Sequence, residues 1–408
     1  MSRKLTVKNV YKIFGEHVDA ALHRLEKGES KEEIFAETGL TVGVQDANFS
    51  VNEGEIFVIM GLSGSGKSTL VRMLNGLIKP SSGEILIDGE DVAKARGEVL
   101  RRIRRTKVAM VFQHFALFPH KTVADNVAYG LKVKGVGRAE RRERALAALD
   151  QVGLKAHADT FTDELSGGMQ QRVGLARGLA TEPDILLMDE PFSALDPLIR
   201  RDMQSELIEL QRSLKKTIVF ITHDLDEALI LGDRIAIMKD GQIVQIGTAR
   251  EIVDNPADDY VAAFTQDIDR ARVLTAETAA VDPHALELGK ATIADAIRRM
   301  EEFDRDALYV VEGGKPVGVV GYRDLTAGGH NPDAPVTRDI VTSEFPVVRR
   351  ATPLNELYVH ASSGLPVGIV DDAGNLRQVV EARALFEQLS GAPEASPAAT
   401  SEAPAAAP

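Results

Sequence analysis

The run Gly61-Leu62-Ser63-Gly64-Ser65-Gly66-Lys67-Ser68-Thr69 restricts the fold of this chain more than any other segment. It matches the pattern G-x-x-x-x-G-K-[ST], directly after the apolar run Ile56-Phe57-Val58-Ile59-Met60 and directly before a helical stretch over 70–77. Strand, glycine-rich loop and helix in that order let the backbone wrap phosphate oxygens at the positive end of the helix. Further apolar strand candidates recur at 108–112, 185–188, 218–221 and 235–238, with longer helically periodic segments between them. The alternation predicts an α/β fold in which helices cover a mostly parallel sheet. Lys239-Asp240-Gly241 then turns the chain into Ile243-Val244-Gln245-Ile246, a hairpin-like ending.

At 408 residues the chain is long enough for two domains, each with its own core. Residues 1–267 read as the α/β domain, with one departure over 16–39. There the sequence predicts two short helices separated by Gly28, the second capped by Ser30 with Glu33 as its reciprocal partner. Ile34 and Phe35 give that helix something to bury. Residues 268–289 are mixed in character and read as a linker. An internal repeat follows over 290–389. A 50-residue offset aligns only Lys315-Pro316-Val317-Gly318 with Leu365-Pro366-Val367-Gly368. A 60-residue offset aligns Thr292 with Thr352, Val310 with Val370, Val319 and Val320 with Val379 and Val380, and Leu325 with Leu385. The longer match preserves a whole helix, strand, turn, strand, helix unit and sets the register. Residues 390–408, rich in Ala, Pro, Ser and Glu, have almost nothing to bury and are expected to be disordered.

Charge and composition remove several function classes. The formal net charge of -13 argues against a protein that coats nucleic acid or an anionic membrane. Two basic runs, Arg101, Arg102, Arg104, Arg105 and Lys107, then Arg138, Arg141, Arg142 and Arg144, fit solvated helix surface better than contact with an acidic partner or lipid headgroups. The absence of cysteine excludes disulfides and thiolate metal sites. No apolar segment reaches about 18 residues, so a membrane role requires another subunit to hold the chain there. The basic N-terminus is not followed by an apolar stretch, and no secretory signal is expected.

Two carboxylates end the apolar run 185–188, Asp189 and Glu190. Burying such a pair without a cation is costly, and a metal with a water at the strand end rationalises both. With ATP held by the loop over Gly61–Thr69, Lys67 reaches the β- and γ-phosphates. Ser68 and Asp189 serve Mg²⁺, and Glu190 is the expected general base. His223, after the apolar run 217–222, would alone read as a structural histidine.

Leu165-Ser166-Gly167-Gly168-Met169, followed by Gln170-Gln171-Arg172, resembles the signature motif of ABC ATPases. The resemblance covers residues 1–267. It implies that Ser166, Gly167 and Gly168 complete the ATP site of a second copy in a head-to-tail pair. It further implies that His223 is the switch histidine contacting the γ-phosphate, and that Gln113 meets Mg²⁺ or the attacking water. The segment 114–120 would then move as the γ-phosphate comes and goes. Ser193-Ala194-Leu195-Asp196 resembles the loop that crosses between the paired domains. Phe14, in Tyr11-Lys12-Ile13-Phe14-Gly15, matches the position of the ring that stacks on adenine, with Tyr11 the competing aromatic. The inserted helices and the repeat, which resembles a pair of CBS motifs, narrow the likeness to ATP-binding subunits of glycine betaine/proline importers. Such a subunit sits at the cytoplasmic face of the bacterial inner membrane, beneath permease subunits fed by an extracytoplasmic binding protein. The CBS-like repeat implies regulation by an adenosine nucleotide or by ionic conditions. Asp324 suits a ribose in the first unit, and Ala384 stands at the equivalent place in the second. Three alternatives stay open: an importer for another amine or amino acid, a soluble ABC ATPase, and a sensor with a degenerate ATPase.

Overall fold

The apolar runs form strands where composition and turn residues place them. In chain order the first unit carries β1 (Arg3–Phe14), β2 (Thr41–Asn52), β3 (Ile56–Met60), β4 (Ser82–Ile87) and β5 (Glu90–Asp91). They are followed by β6 (Val108–Val111), β7 (Ile185–Asp189), β8 (Thr217–Thr222), β9 (Arg234–Lys239) and β10 (Gln242–Gly247). This computed structural model describes residues 2–113, 115–266, 268, 270–361 and 364–385. The tail expected to be disordered, 390–408, and His114 lie outside the described residues. The chain splits into two units after Ile268.

In the first unit a six-stranded sheet runs in the order β10-β9-β3-β8-β7-β6. It is parallel except at the β9–β10 hairpin, whose Asp240 and Gly241 both have positive φ, as a tight two-residue turn requires. β3, β7 and β8 are buried at every position, which is why they read as unbroken apolar runs rather than alternating ones. Successive side chains go to opposite faces. Val58, Met60, Ile218 and Phe220 pack against helices that include Gly167–Leu179 and Pro197–Leu214. Phe57, Ile59, Val219 and Ile221 pack against helix Lys67–Leu74 and against a second sheet, antiparallel β2-β1-β4-β5. Helices therefore do not cover both faces of the parallel sheet; on one face an antiparallel sheet does most of that work. The two basic runs lie on helices Gly97–Thr106 and Arg138–Gln151, except Lys107, which follows the first helix and pairs with Asp88; Arg101 and Arg105 pair with Glu98 and Arg142 with Asp159 on the surface.

Residues 16–39 form helices Val18–Glu26 and Lys31–Thr38. Ser30 Oγ accepts the Glu33 N–H at 3.2 Å and Glu33 Oε2 accepts the Ser30 N–H at 2.8 Å, the reciprocal cap the sequence predicts. Ala21, Leu25 and Ile34 close over Ile13, Leu40 and Val42 at the ends of β1 and β2. Phe35 does not join them and is 57% exposed. Adjacent helical residues point about 100° apart, so a helix that aims Ile34 inward turns Phe35 outward.

The second unit contains two related halves, and the 60-residue offset describes them. Helices Ile293–Glu302 and Leu354–Ala361, strands Ala307–Glu312 and Val367–Val370, and strands Lys315–Gly321 and Leu376–Val380 correspond. The 50-residue match instead sets the strand holding Val317 against a strand of a different place in the order. The expected linker over 268–289 is structured from Arg270 onward. Ala271, Leu274, Ala276 and Ala279 are buried against Leu354, Leu357, Val367 and Ile369, and Ala280 pairs with Val380. Reciprocally, Thr342 of the later half bridges Val319 of the first. Each half lends its leading segment to the other, so neither is complete alone. Fully buried Tyr309 ties them further, its hydroxyl accepting the Gly368 N–H at 2.9 Å.

Candidate functional site

The glycine-rich loop joins β3 to helix Lys67–Leu74, and its shape depends on Gly66. That residue has φ 99° and lies against the Gly43 carbonyl so closely that a Cβ has no room. The turn between β9 and β10 braces the same loop, since Gly241 N–H donates to Ser65 O at 3.0 Å. Leu62, Ser63 and Gly64 are exposed at the tip, Ser68 and Thr69 are half-buried, and Lys67 and Ser65 are buried. The Lys67 ammonium donates to the carbonyls of Gly61 at 2.7 Å and Leu62 at 3.0 Å. Burial lowers its pKa from the ordinary lysine value, against the opposing fields of Glu190 and Asp189. Ser65 Oγ is buried with no hydrogen-bond partner among the described residues.

Parallel register puts the ends of β7 and β8 beside this loop. Asp189 closes β7, and its Oδ1 accepts the Ser68 hydroxyl at 3.2 Å. Burial raises its pKa, with Ser68 and the positive charges of Arg72 and Lys67 pulling the other way. Glu190 follows with φ 47°, a left-handed conformation that costs a non-glycine residue free energy. Its N–H donates to Ile221 O at 3.0 Å and its carbonyl accepts the Ser193 hydroxyl at 3.0 Å, which hold it there. That backbone turn aims the carboxylate at His223, whose Nδ1 lies 3.0 Å from Glu190 Oε2. Lys67, Ser68, Asp189, Glu190 and His223 thus form one cluster.

The remaining predicted residues sit around the cluster rather than in it. Phe14 ends β1, 40% exposed, with the Lys12 ammonium 4.9 Å from its ring centre. The ring rests on Gly43, whose carbonyl abuts Gly66, so an open aromatic face is joined to the loop through a single glycine. Tyr11 instead packs into the core of the inserted helices. Gln113 is half-buried just beyond β6. Ser166 caps helix Gly167–Leu179 by accepting the Met169 N–H at 3.4 Å, and Asp196 caps Pro197–Leu214 through the N–H groups of Leu198 and Ile199. Ser166 and Gly167 are exposed and Gly168 is half-buried. No hydrogen bond among the described residues joins these three to the cluster.

The sequence reading missed Gly43 and Arg177, and it took Gly241 as a turn residue without its contact to the loop. Arg177 donates to the carbonyls of Phe115 and Ala116, two consecutive left-handed residues just after Gln113. Burial lowers the pKa of its guanidinium. No local motif marks such a residue, because its partners lie about sixty positions upstream.

The donor set suits a hard divalent cation. A hydroxyl and a buried carboxylate face each other at Ser68 and Asp189, with no partner for Asp189 but that hydroxyl among its hydrogen bonds. Among the described residues no group of three or more acidic or histidine side chains forms a metal cage. The hydroxyl and carboxylate of Ser68 and Asp189 leave the other positions of a small hard cation to phosphate and water. The orphaned Ser65 hydroxyl fits a phosphate oxygen.

A phosphate loop, paired strand-end carboxylates and a histidine at the neighbouring strand end, with a capped serine–glycine helix start, define an ABC-type ATPase. The ABC transporter family profile matches residues 44–193 and the CBS domain profile residues 275–328. The chain is 51% identical over 394 residues to the glycine betaine/proline betaine transport system ATP-binding protein ProV of Salmonella typhimurium, covering 95% of this chain and 98% of that one. It is 48% identical over 389 residues to the glycine betaine transport ATP-binding protein OpuAA of Bacillus subtilis, covering 95% and 93%. A solved dimeric ATP-binding cassette, in a post-hydrolysis state with ADP and Pi, superposes with a TM-score of 0.51 at 35% identity, over 60% of this chain and 99% of that chain. The chain belongs to the family of ABC transporter ATP-binding subunits and carries a CBS domain in its second unit.

Proposed function

We propose that this chain hydrolyses ATP to power import of glycine betaine/proline-type osmoprotectants, as a head-to-tail pair beneath membrane permease subunits. The observation that carries the hydrolytic reading is the 3.0 Å pair of His223 and Glu190, set beside Lys67 and Asp189. Lys67 donates to the β- and γ-phosphate oxygens in place of its present carbonyl partners, within the cradle of Gly61, Ser63, Gly64, Ser65, Gly66 and Thr69. Ser68 and Asp189, with Gln113 as a further candidate, would hold Mg²⁺, which would supply charge neutralisation on the phosphates. Glu190 orients or deprotonates the attacking water, and His223 holds that carboxylate in register with the γ-phosphate. Phe14 offers its open face to adenine. Ser166, Gly167 and Gly168, which make no hydrogen bond to their own cluster among the described residues, serve the partner's nucleotide, with Asp196 crossing between the copies.

The cargo is inferred from the relatives, because nothing in this chain is expected to touch it. No helix among the described residues is long and apolar enough to cross a membrane. The likeness to transport ATP-binding proteins supports a subunit held at the cytoplasmic face by its permease. A cavity of about 290 Å³ lies next to β6 and Gln113, lined by Leu77, Met110, Phe112, Tyr129 and Val133, and offers that permease a seat. An extracytoplasmic binding protein would deliver the solute.

Reconstitution tests the scheme. Vesicles carrying this chain with its neighbouring permease and binding protein, loaded with ATP, are expected to accumulate radiolabelled glycine betaine. Glu190→Gln should trap an ATP-bound pair and lower hydrolysis by roughly a hundredfold or more. Vigorous hydrolysis without betaine uptake would reject the cargo. Undiminished turnover in Glu190→Gln would remove that residue from the role of base.

A further inference from the structure

Behind His223 lies a buried polar cluster that the scheme above does not use. Thr222, Gln204 and Glu227 are 2%, 6% and 4% exposed. Glu227 Oε2 accepts the Thr222 hydroxyl at 2.6 Å, and Oε1 accepts the Gln204 amide at 3.2 Å. The Thr222 oxygen in turn accepts the Asp224 N–H at 2.9 Å. One hydroxyl therefore ties together the residues on either side of His223, and Glu227 fixes that hydroxyl. Burial raises the pKa of Glu227, a cost that apolar side chains of the same volume would not carry. Filling space does not explain the cluster.

Its far side reaches the loop at Asp196. Arg200 Nη1 donates to Asp224 Oδ2 at 3.1 Å and Nη2 to Leu195 O at 3.3 Å. The Arg200 N–H donates to Asp196 O at 2.9 Å. Arg200 Nε is buried without an acceptor among the described residues and stands 3.8 Å from Glu227 Oε1. The guanidinium thus spans from the Leu195–Asp196 turn to the turn that carries His223.

We propose that Arg200 and Glu227 are positioning residues, a brace that sets His223 against Glu190 and ties it to the Leu195–Asp196 turn. The proposal rests on the reading of His223 and Glu190 as the hydrolytic pair. The side-chain hydrogen bonds of the two brace residues go to Asp224, Leu195, Gln204 and Thr222 and not to the phosphate loop, so their loss acts on turnover through His223 and leaves nucleotide binding in place.

The test is a double-mutant cycle on the full chain, with ATP turnover, KM for ATP and thermal melting as readouts. Glu227→Ala and Arg200→Ala are expected to lower kcat roughly ten- to hundredfold while KM stays within about twofold. Glu227→Gln, which keeps the shape and part of the hydrogen bonding, should recover much of the loss. In a His223→Ala background the same substitutions should lower kcat no further. A merely structural role predicts the opposite: equal additional losses in both backgrounds, tracking the fall in melting temperature. That result, or undiminished kcat in the single variants, overturns the brace. Full turnover in His223→Ala alone would instead overturn the hydrolytic reading, and the brace with it. If Glu227→Ala does not fold, Thr222→Val removes the linking hydroxyl at constant volume and carries the same expectations.

Discussion

Gly43 has no side chain, and both the loop and the aromatic face above it depend on that. A Cβ at Gly43 would come within 2.8 Å of Phe14 Cε2, while its carbonyl already fills the space beside Gly66. Gly43→Ala should therefore displace the Phe14 ring and raise KM for ATP several-fold with little change in kcat, since stacking is binding shared by ground and transition states. Steady-state kinetics checks this, and an unaltered KM would mean that the ring does not bear on the base. Glycines inside a G-x-x-x-x-G-K-[ST] pattern announce themselves, and so do carboxylates after an apolar strand. Gly43 sits within an ordinary strand and matters only because two residues distant in sequence close on it. Glu190 shows the same limit from the other side. Its identity and place were legible from Ile185 onward, but the left-handed backbone that aims it at His223 is held by hydrogen bonds to Ser193 and Ile221, and neither the Ser193–Asp196 motif nor the apolar run 217–222 announces those bonds.

At the scale of elements, legibility followed the range of the forces involved. The Ser30–Glu33 cap is a local interaction between residues three apart, and it marked the start of the second helix of the 16–39 insertion in the sequence. Ser30→Ala should unfold the first turn of Lys31–Thr38 and weaken that helix by about 1 kcal/mol. Hydrogen exchange would then speed up at the Glu33 amide and its neighbours, with β3 amides unaffected. Equal acceleration throughout the sheet would contradict the local assignment. Parallel strands β3, β7 and β8 were equally plain, because burial on both faces demands continuous apolar runs. What covers each face was not plain. Periodicity tells that a strand is buried on both sides without saying whether a helix or a second sheet lies there.

For the molecule as a whole, the 270–289 segment is the instructive case. Taken locally it is a mixed stretch with no pattern, and it reads as a linker. Its partners are Leu354, Leu357 and Val380, so its structure is invisible until the far half of the repeat is considered. A truncation after residue 289 should leave Ala271, Leu274, Ala276 and Ala279 without cover and lower soluble yield. A truncation after residue 268 should preserve the melting transition of the ATPase unit and its ATP hydrolysis. In vesicles, loss of the salt response of uptake in the shorter chain would support a regulatory module, and an unchanged response would refute one. The exchanged segments also impose a timetable on synthesis. Ala280 leaves the ribosome a hundred positions ahead of Val380, its strand partner. At about 5–20 residues per second the first half waits roughly 5–20 s with its leading edge unpaired. During that interval the nearest chemically equivalent partner is the same segment of another nascent chain, and neighbouring ribosomes on one message hold such chains close together. Translation speed across the second half therefore decides how often the unit closes on itself rather than on its neighbour.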